Sequence, residues 1–311
     1  MPLTGMSVTW TLFRVFISSL SRLSWSLPFF VQVGSIGMKY RYRRCRLPCA
    51  WLIWKSLFPC RIVIATMTQE SPLRIAVWSG PRNISTAMMR AWGNRPDTFV
   101  CDEPLYSHYL KVTGMPHPVA AEIIAHHESD WRKVVAWLTE EAPEGQPIFY
   151  QKHMTHHLLP VIDREWLARV TNCFLIRHPQ EVITSYIVKN NDPTVEDVGF
   201  VQQAEIFDFV CRRTGSTPPV LDAREIQENP RRMLGLMCDA LGVEFTDAML
   251  SWPPGLRATD GIWAKHWYKE VESSTSFRPY KAKPDVVPDR LKDVYAQCLG
   301  YYERLYERRL R

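Results

Sequence analysis

From Leu73 onward, short apolar runs alternate along the chain with segments of helical periodicity. The runs are almost continuously apolar, which is typical of strands that are covered on both faces. The predicted strands are Arg74–Trp78, Thr98–Cys101, Ile148–Gln151, Asn172–Ile176 and Pro219–Asp222. The predicted helices are Ser85–Trp92, Asp130–Glu141, Pro179–Lys189, Val195–Arg213, Pro230–Leu241 and Asp289–Arg308. This alternation predicts a three-layer α/β fold, with a doubly wound, mainly parallel sheet and helices on both faces.

The first 69 residues differ from the rest of the chain in charge. They contain nine Lys and Arg and no Asp or Glu, whereas the remaining residues hold 29 basic and 32 acidic side chains. The formal net charge of +6 therefore belongs to this leader. The rest of the chain gives no electrostatic reason to expect nucleic acid as a partner.

Three interpretations of the leader remain open. A membrane anchor or secretory signal is disfavoured, because the longest uncharged stretch, Leu23–Met38, has 16 residues and contains Pro28, whereas a span needs roughly 20 apolar residues. An organelle transit peptide would share its composition, which is rich in Arg and Ser and free of acids. We favour the third, in which residues 1–66 are not part of the mature or true protein, because Met67 begins an ordinary lead-in to a strand. We therefore expect one cytoplasmic α/β domain over residues 67–311.

Eight cysteines are scattered along the chain. Cys45 and Cys49 have C-x-x-x-C spacing without a second pair, so we expect no zinc site there. The cysteines after the leader lie in apolar runs, which is typical of buried thiols in a reducing compartment.

In a doubly wound sheet, ligands bind outside the carboxyl ends of the strands. The segments that follow the first four predicted strands read SGPRNIST, DEPLYSHY, KHMTHHLLP and RHPQEVITSY. We expect these four segments to converge on one cleft.

The first segment has the features of a phosphate-binding loop. It leads into a helix that opens with Ser85 and Thr86, so backbone N–H groups and the positive end of the helix dipole point at one place. Arg82 adds a charge and several donors. The Gly-Lys pair of ATP-binding loops is missing, which argues against an ATPase; an ordinary turn with an exposed Arg is the alternative. The candidate anion-binding residues are Gly80, Pro81, Arg82, Asn83, Ile84, Ser85 and Thr86.

Arg177 follows the fourth strand directly, and Ser185 lies two turns along the next helix, which begins near Pro179. These two side chains can share an anion. An arginine that is merely exposed at a strand end is the alternative.

Candidate catalytic residues follow the second and third strands. His153, just past a strand end, can accept a proton from a bound hydroxyl group, and Lys152 precedes it. Glu103 can act as a base or orient a cation, with a solvated turn carboxylate as the alternative. His153, His156 and His157 lack a nearby carboxylate or Cys in the sequence, so we expect no metal there. We expect His156 and His157 to be surface or supporting residues.

Together these segments resemble the sulfotransferases that use 3′-phosphoadenosine 5′-phosphosulfate (PAPS). GPRNIST is similar to the loop that binds the 5′-phosphosulfate, with Arg82 in place of the usual Lys and Asn83 and Ile84 in place of Ser-Gly. RHPQEVITSY is similar to the 3′-phosphate site, with Arg177 and Ser185 in the family's spacing. HMTHHLLP resembles the segment that begins with the catalytic His, and DEPLY resembles the version of the family with a Glu after the second strand.

The resemblance covers roughly residues 73–268 and implies the P-loop-like sulfotransferase fold. It implies sulfuryl transfer from PAPS, without a metal, to a hydroxyl or amine of a small-molecule or carbohydrate acceptor. His153 or Glu103 would be the base, and Lys152 would lie near the 5′ end of the cofactor. Two alternatives remain open: a Mg-dependent kinase-like phosphoryl transferase and a nucleotide-binding module without activity.

The connection Thr246–Pro288 contains five prolines, and we expect it to be a long ordered or lid-like loop. Its aromatic residues either pack a small core or form a wall for the acceptor, and packing is the favoured interpretation. They are Trp252, Trp263, Trp267 and Tyr268.

Overall fold

The computed structural model describes residues 71–140, 143–188, 192–282 and 284–311, together with two short antiparallel strands, Gln32–Val33 and Ile36–Gly37. The chain divides into two units, 1–69 and 70–311. Apart from the two short strands, the predictions for the leader and for the pair Cys45 and Cys49 fall outside the described residues.

The second unit contains five parallel strands in the order β2-β3-β1-β4-β5. They are β1 Leu73–Ser79, β2 Thr98–Asp102, β3 Ile148–Met154, β4 Thr171–Ile176 and β5 Val220–Asp222. Each lies where the apolar runs predict a strand, and the predicted doubly wound α/β fold is confirmed. The third strand is longer than expected, because β3 pairs with β1 along its whole length, up to Ser79 and Met154.

Helices cover both faces of this sheet. They are α1 Ser85–Gly93, α2 Tyr106–Thr113, α3 Ala120–His126, α4 Trp131–Thr139, α5 Pro179–Tyr186, α6 Phe200–Thr214, α7 Ala223–Glu228, α8 Pro230–Leu241, α9 Ala264–Trp267, α10 Lys269–Glu272 and α11 Lys292–Tyr306. The six predicted helices correspond to α1, α4, α5, α6, α8 and α11, while the shorter α2, α3, α7, α9 and α10 were not predicted. Among the described residues, no helix is both long enough and apolar enough to cross a membrane.

The pleat of the strands divides the core into two layers. Ile75 and Val77 of β1 face a layer that includes α1, α2 and α8. Ala76 and Trp78 face the opposite layer, which includes α4, α6 and α11. Side chains alternate along a strand, so neighbours in sequence belong to different layers.

The connection Thr246–Pro288 packs against the sheet and α1. Trp252 and Trp263 are buried in the same layer as α1, which confirms the packing interpretation for these two residues. A buried pair of hydrogen bonds, 2.5 and 2.6 Å long, joins the guanidinium of Arg90 to the carboxylate of Asp260. This contact attaches the connection to α1.

Gly80 lies at a close approach of two backbones. A Cβ on this residue would lie 2.6 Å from the carbonyl oxygen of Val198. We expect Gly80→Ala to lower the free energy of unfolding by about 1–3 kcal/mol, because the backbone must shift to admit the methyl group. Urea unfolding measures this change.

Gly235 gives the matched control for this substitution. It lies within α8, and, apart from its chain neighbours and the nearby backbone of that helix, no described atom lies within 4 Å of the position that its Cβ would take. Gly235→Ala should raise the free energy of unfolding by about 0.5–1 kcal/mol, because alanine favours the helix. Equal effects of the two substitutions would contradict the steric argument.

Candidate active site

The four segments at the carboxyl ends of the strands meet at one cleft of about 1400 Å³. Its walls include residues from the β1–α1 loop, from the start of α2, from the turn after β3 and from α5. Parts of the connection Thr246–Pro288 also line it, including Trp267 and Tyr268. The expected convergence is therefore present.

The β1–α1 loop presents the amino end of α1 to this cleft. The first N–H groups of a helix have no intrahelical acceptor, and at α1 the N-cap residue Ile84 makes no capping hydrogen bond with its side chain. These N–H groups therefore stay available to a ligand in the cleft. Asn83 stabilises the loop, because its Oδ1 accepts from the N–H of Ile84 at 2.7 Å and its Nδ2 donates to the carbonyl of Leu175 at 2.9 Å. Ile84 has φ −91°, so this position does not require glycine. Arg82 instead has the left-handed backbone, with φ +56°.

Arg82, Arg177 and Ser185 form a single cluster, which we call the arginine clamp. The Nε of Arg82 donates to the Oγ of Ser185 at 2.9 Å, and Arg177 donates to the carbonyl of Arg82 at 2.6 Å. The side chain of Arg82 is thus directed toward the segment that resembles the 3′-phosphate site. Two N–H groups of Arg177 remain without an acceptor among the described residues, since Glu181 and the carbonyl of Arg82 occupy the other three. Tyr280 donates to the second oxygen of Glu181 at 2.9 Å.

Lys152 lies in a buried cluster on the other side of the cleft. Its Nζ is 2.8 Å from Oδ1 of Asp102, 2.5 Å from Oε1 of Glu103 and 2.8 Å from the hydroxyl of Tyr268. Burial lowers the pKa of Lys152, but the two carboxylates outweigh it and hold the pKa well above its usual value. All three ammonium donors are occupied, so in this arrangement Lys152 has none left for a phosphate at the 5′ end.

Glu103 is the member of this cluster whose carboxylate borders the cleft. Its side chain is 12% exposed, compared with 1% for Asp102 and Lys152. Its backbone is left-handed, with φ +43°, a conformation that costs a non-glycine residue on the order of 1–3 kcal/mol and is concentrated at functional sites. Burial raises the pKa of Glu103 and Asp102 adds to the effect, so the pKa lies above its usual value despite Lys152. A carboxylate of this kind is suited to accept a proton near neutral pH.

The structure corrects the expected position of His153. This residue lies within β3 rather than past its end, and its ring stacks on Trp78 with 4.4 Å between the ring centroids. It is buried in the layer of α4 and α6 and does not line the cleft. Burial lowers its pKa to about 3, so the imidazole is neutral. Because the pleat turns successive side chains to opposite faces, Lys152 faces the cleft side of the sheet and His153 the other.

His156 and His157 were expected at the surface or as supporting residues; in the structure His157 is buried and His156 half-buried, and both line the cleft. The ring of His157 stacks on Tyr106 and Tyr109 at centroid distances of 4.7 Å, and His156 meets the edge of Tyr109 at 5.4 Å. Burial lowers the pKa of His156 to about 4 and that of His157 well below its usual range. With Trp267, these rings form an aromatic wall beside Glu103.

Sequence reasoning missed several residues of this site. Asp102, Tyr106 and Tyr109 all lie in the segment after the second predicted strand, but nothing in the local sequence distinguishes them as site residues. Tyr268 was noted as aromatic, but its hydroxyl meets Asp102 across 166 residues of chain. Such a contact leaves no local signal.

A family model described as a sulfotransferase domain matches residues 73–309. The match spans most of the chain, and the chain therefore belongs to the sulfotransferase domain family. The family resemblance inferred from the four segments is confirmed.

Two curated relatives are Branched-chain-amino-acid aminotransferase-like proteins 1 and 2 of Arabidopsis thaliana. They are 34% identical over 234 residues and 32% identical over 231 residues, covering 75% and 74% of this chain. The chain spans only about two fifths of their length, 42% and 41%.

Two solved structures show weaker similarity. The sulfotransferase domain from the curacin biosynthetic pathway is 17% identical with a TM-score of 0.42, over 76% of this chain and 98% of that one. A sulfotransferase from Alicyclobacillus acidocaldarius is 12% identical with a TM-score of 0.45, over 77% of this chain and 98% of that one. At these values the likeness adds nothing to the family assignment.

Proposed function

We propose that a single domain over residues 67–311 transfers a sulfuryl group from PAPS to a hydroxyl or amine of a small-molecule or carbohydrate acceptor. The observation that carries the proposal is the placement of the arginine clamp and of Glu103 on one cleft. The first offers donors to anions, and the second offers a proton acceptor. Sulfuryl transfer from a phosphosulfate to a hydroxyl group needs both.

The residues present fit a ligand with two phosphate groups. The uncapped amino end of α1 supplies backbone N–H groups and a positive dipole end for the 5′-phosphosulfate. The remaining donors of Arg82 and Arg177, with Ser185, supply a second anion site for the 3′-phosphate. This assignment moves Arg82 from the 5′ end, where the sequence suggested it, to the 3′ end.

The transfer itself requires that charge on the departing phosphate be stabilised and that the acceptor lose a proton. As the new bond from the acceptor oxygen or nitrogen to sulfur forms and the bond from sulfur to the phosphate oxygen breaks, the electron pair leaves with the phosphate. The donors at the start of α1 stabilise that charge. Glu103 takes the proton of the acceptor, and the aromatic wall holds the acceptor's apolar part beside it.

A thermal-shift experiment tests the choice of cofactor. We expect 3′,5′-ADP to raise the melting temperature without Mg²⁺, and 5′-AMP to raise it less, because only the former fills both anion sites. Stabilisation by ATP with Mg²⁺ and none by 3′,5′-ADP would contradict the proposal and favour a kinase-like transferase. Stabilisation by 3′,5′-ADP with no sulfuryl transfer to a broad acceptor panel would favour a binding module.

A further inference from the structure

The buried cluster beneath Glu103 contains one ammonium for two carboxyl groups. A lysine paired with a glutamate alone strongly favours the ionised carboxylate, which makes that carboxylate a weak base. Here Lys152 also contacts Asp102, at 2.8 Å from its Oδ1. The ammonium is therefore divided between a carboxyl group that borders the cleft and one that does not.

Tyr268 contacts both Lys152 and Asp102 and keeps them together. Its hydroxyl accepts from Lys152 at 2.8 Å and lies 2.8 and 2.7 Å from the two carboxylate oxygens of Asp102, to which it donates. Asp102 also accepts from the backbone N–H of Gly261 at 3.2 Å. The late connection thus supplies two groups that fix Asp102 against Lys152.

The other titratable groups around Glu103 add no second cation. His157 lies with its Nδ1 4.0 Å from Oε2 of Glu103, and burial lowers its pKa so far that the ring is neutral. Tyr106 of α2 also faces this carboxylate, and burial raises its pKa, so its hydroxyl is neutral. Lys152 therefore supplies the positive charge in contact with Glu103 among the described residues.

We propose that Asp102 and Tyr268 are positioning residues, which share the charge and the hydrogen bonds of Lys152 and so set the basicity of Glu103. Because Asp102 also contacts Lys152, the ammonium stabilises the ionised form of Glu103 less than it would alone. Tyr268 donates to Asp102 and so limits how strongly Asp102 attracts Lys152. This inference rests on the proposed function only for the role of Glu103 as the base. The network itself can be measured in the resting protein.

The two residues should act on Glu103 in opposite directions. In Asp102→Asn, Glu103 is the carboxylate that remains in contact with the Lys152 ammonium. We therefore expect the titration midpoint of Glu103 to fall, on the order of one pH unit. In Tyr268→Phe, Asp102 loses the hydroxyl that donates to its two oxygens at 2.8 and 2.7 Å. Asp102 then attracts Lys152 more strongly, so we expect the Glu103 midpoint to rise, by about half a pH unit. A purely structural role would not produce shifts of opposite sign.

Carbon-13 NMR of protein labelled at the glutamate side-chain carboxyl measures these midpoints. The Glu103 signal is identified by its absence in Glu103→Gln. Matched controls are Asp247→Asn, whose carboxylate is 72% exposed and pairs with Arg231, and Tyr295→Phe, whose ring lies by His178 and does not line the cleft. Neither should move the Glu103 midpoint. Melting temperatures show whether each variant is folded, and the conservative Tyr268→Phe tests the proposal even if Asp102→Asn does not fold.

The result that overturns the inference is an unchanged Glu103 midpoint, or a shift with the wrong sign, in a folded variant. Opposite shifts in a protein that transfers no sulfuryl group would uphold the network and refute the proposed function. Sulfuryl transfer with unshifted midpoints would refute the network and uphold the function.

Discussion

Replacing Glu103 with Gln should reduce the turnover number for sulfuryl transfer by about 10²–10⁴-fold, the usual contribution of a positioned general base. Binding of 3′,5′-ADP should remain within a few-fold of the wild-type value, because the arginine clamp lies in other segments of the chain. Steady-state kinetics with labelled PAPS, together with calorimetric binding of 3′,5′-ADP, separates the two effects.

His153→Gln provides the comparison, since His153 is the rival base. Its ring packs in the core between Trp78 and Trp166, so we expect this substitution to lower the melting temperature. Turnover per folded molecule should stay within a few-fold of the wild type. A large loss of turnover in a folded His153→Gln protein, with near-normal turnover in Glu103→Gln, would reverse the assignment of the base.

Arg177→Ala should weaken binding of 3′,5′-ADP by roughly 10- to 100-fold, which corresponds to the loss of a charge-assisted hydrogen bond of about 1.5–3 kcal/mol. Binding of 5′-AMP should change much less, because it lacks the phosphate assigned to the clamp. Isothermal titration calorimetry with both nucleotides measures the ratio. An equal loss for both would count against the assignment of the 3′ site.

Arg231→Ala is the matched control, because this arginine also pairs with a carboxylate, that of Asp247 at 2.6 Å. The side chain of Arg231 is 60% exposed, and it does not line the cleft. Both nucleotides should bind this variant as they bind the wild type. Weakened binding in Arg231→Ala would show that loss of any such pair disturbs the protein.

Much of the fold could be predicted because its signals are local. A buried strand needs a run of apolar residues, and a following helix needs its own periodicity, so the positions of β1 to β5 and of the longer helices follow from short windows. Helices α2 and α3 were not predicted, because they are short and mix polar with apolar residues. Their stability comes from packing in the core layer that includes α1 and α8, and a window of sequence does not contain such contacts.

The candidate site was predictable only in its parts. The β1–α1 loop, Arg177, Ser185 and Glu103 all follow strand ends, and parallel strands bring such positions to one edge of a sheet. The sequence did not predict the direction in which each of these side chains points. Arg82 turns toward Ser185, a contact between residues 103 positions apart.

The sequence by itself determined the alternation of strands and helices, the absence of a Walker lysine and the spacing from Arg177 to Ser185, because each is a property of neighbouring residues. Tertiary structure decided which side chain after the third apolar run faces the cleft. β3 continues as a strand through His153 because it pairs with β1, and the pleat then sends Lys152 and His153 to opposite layers. Tertiary structure also brought Tyr268 to Asp102, since a hydrogen bond between distant segments exists only once the chain has folded.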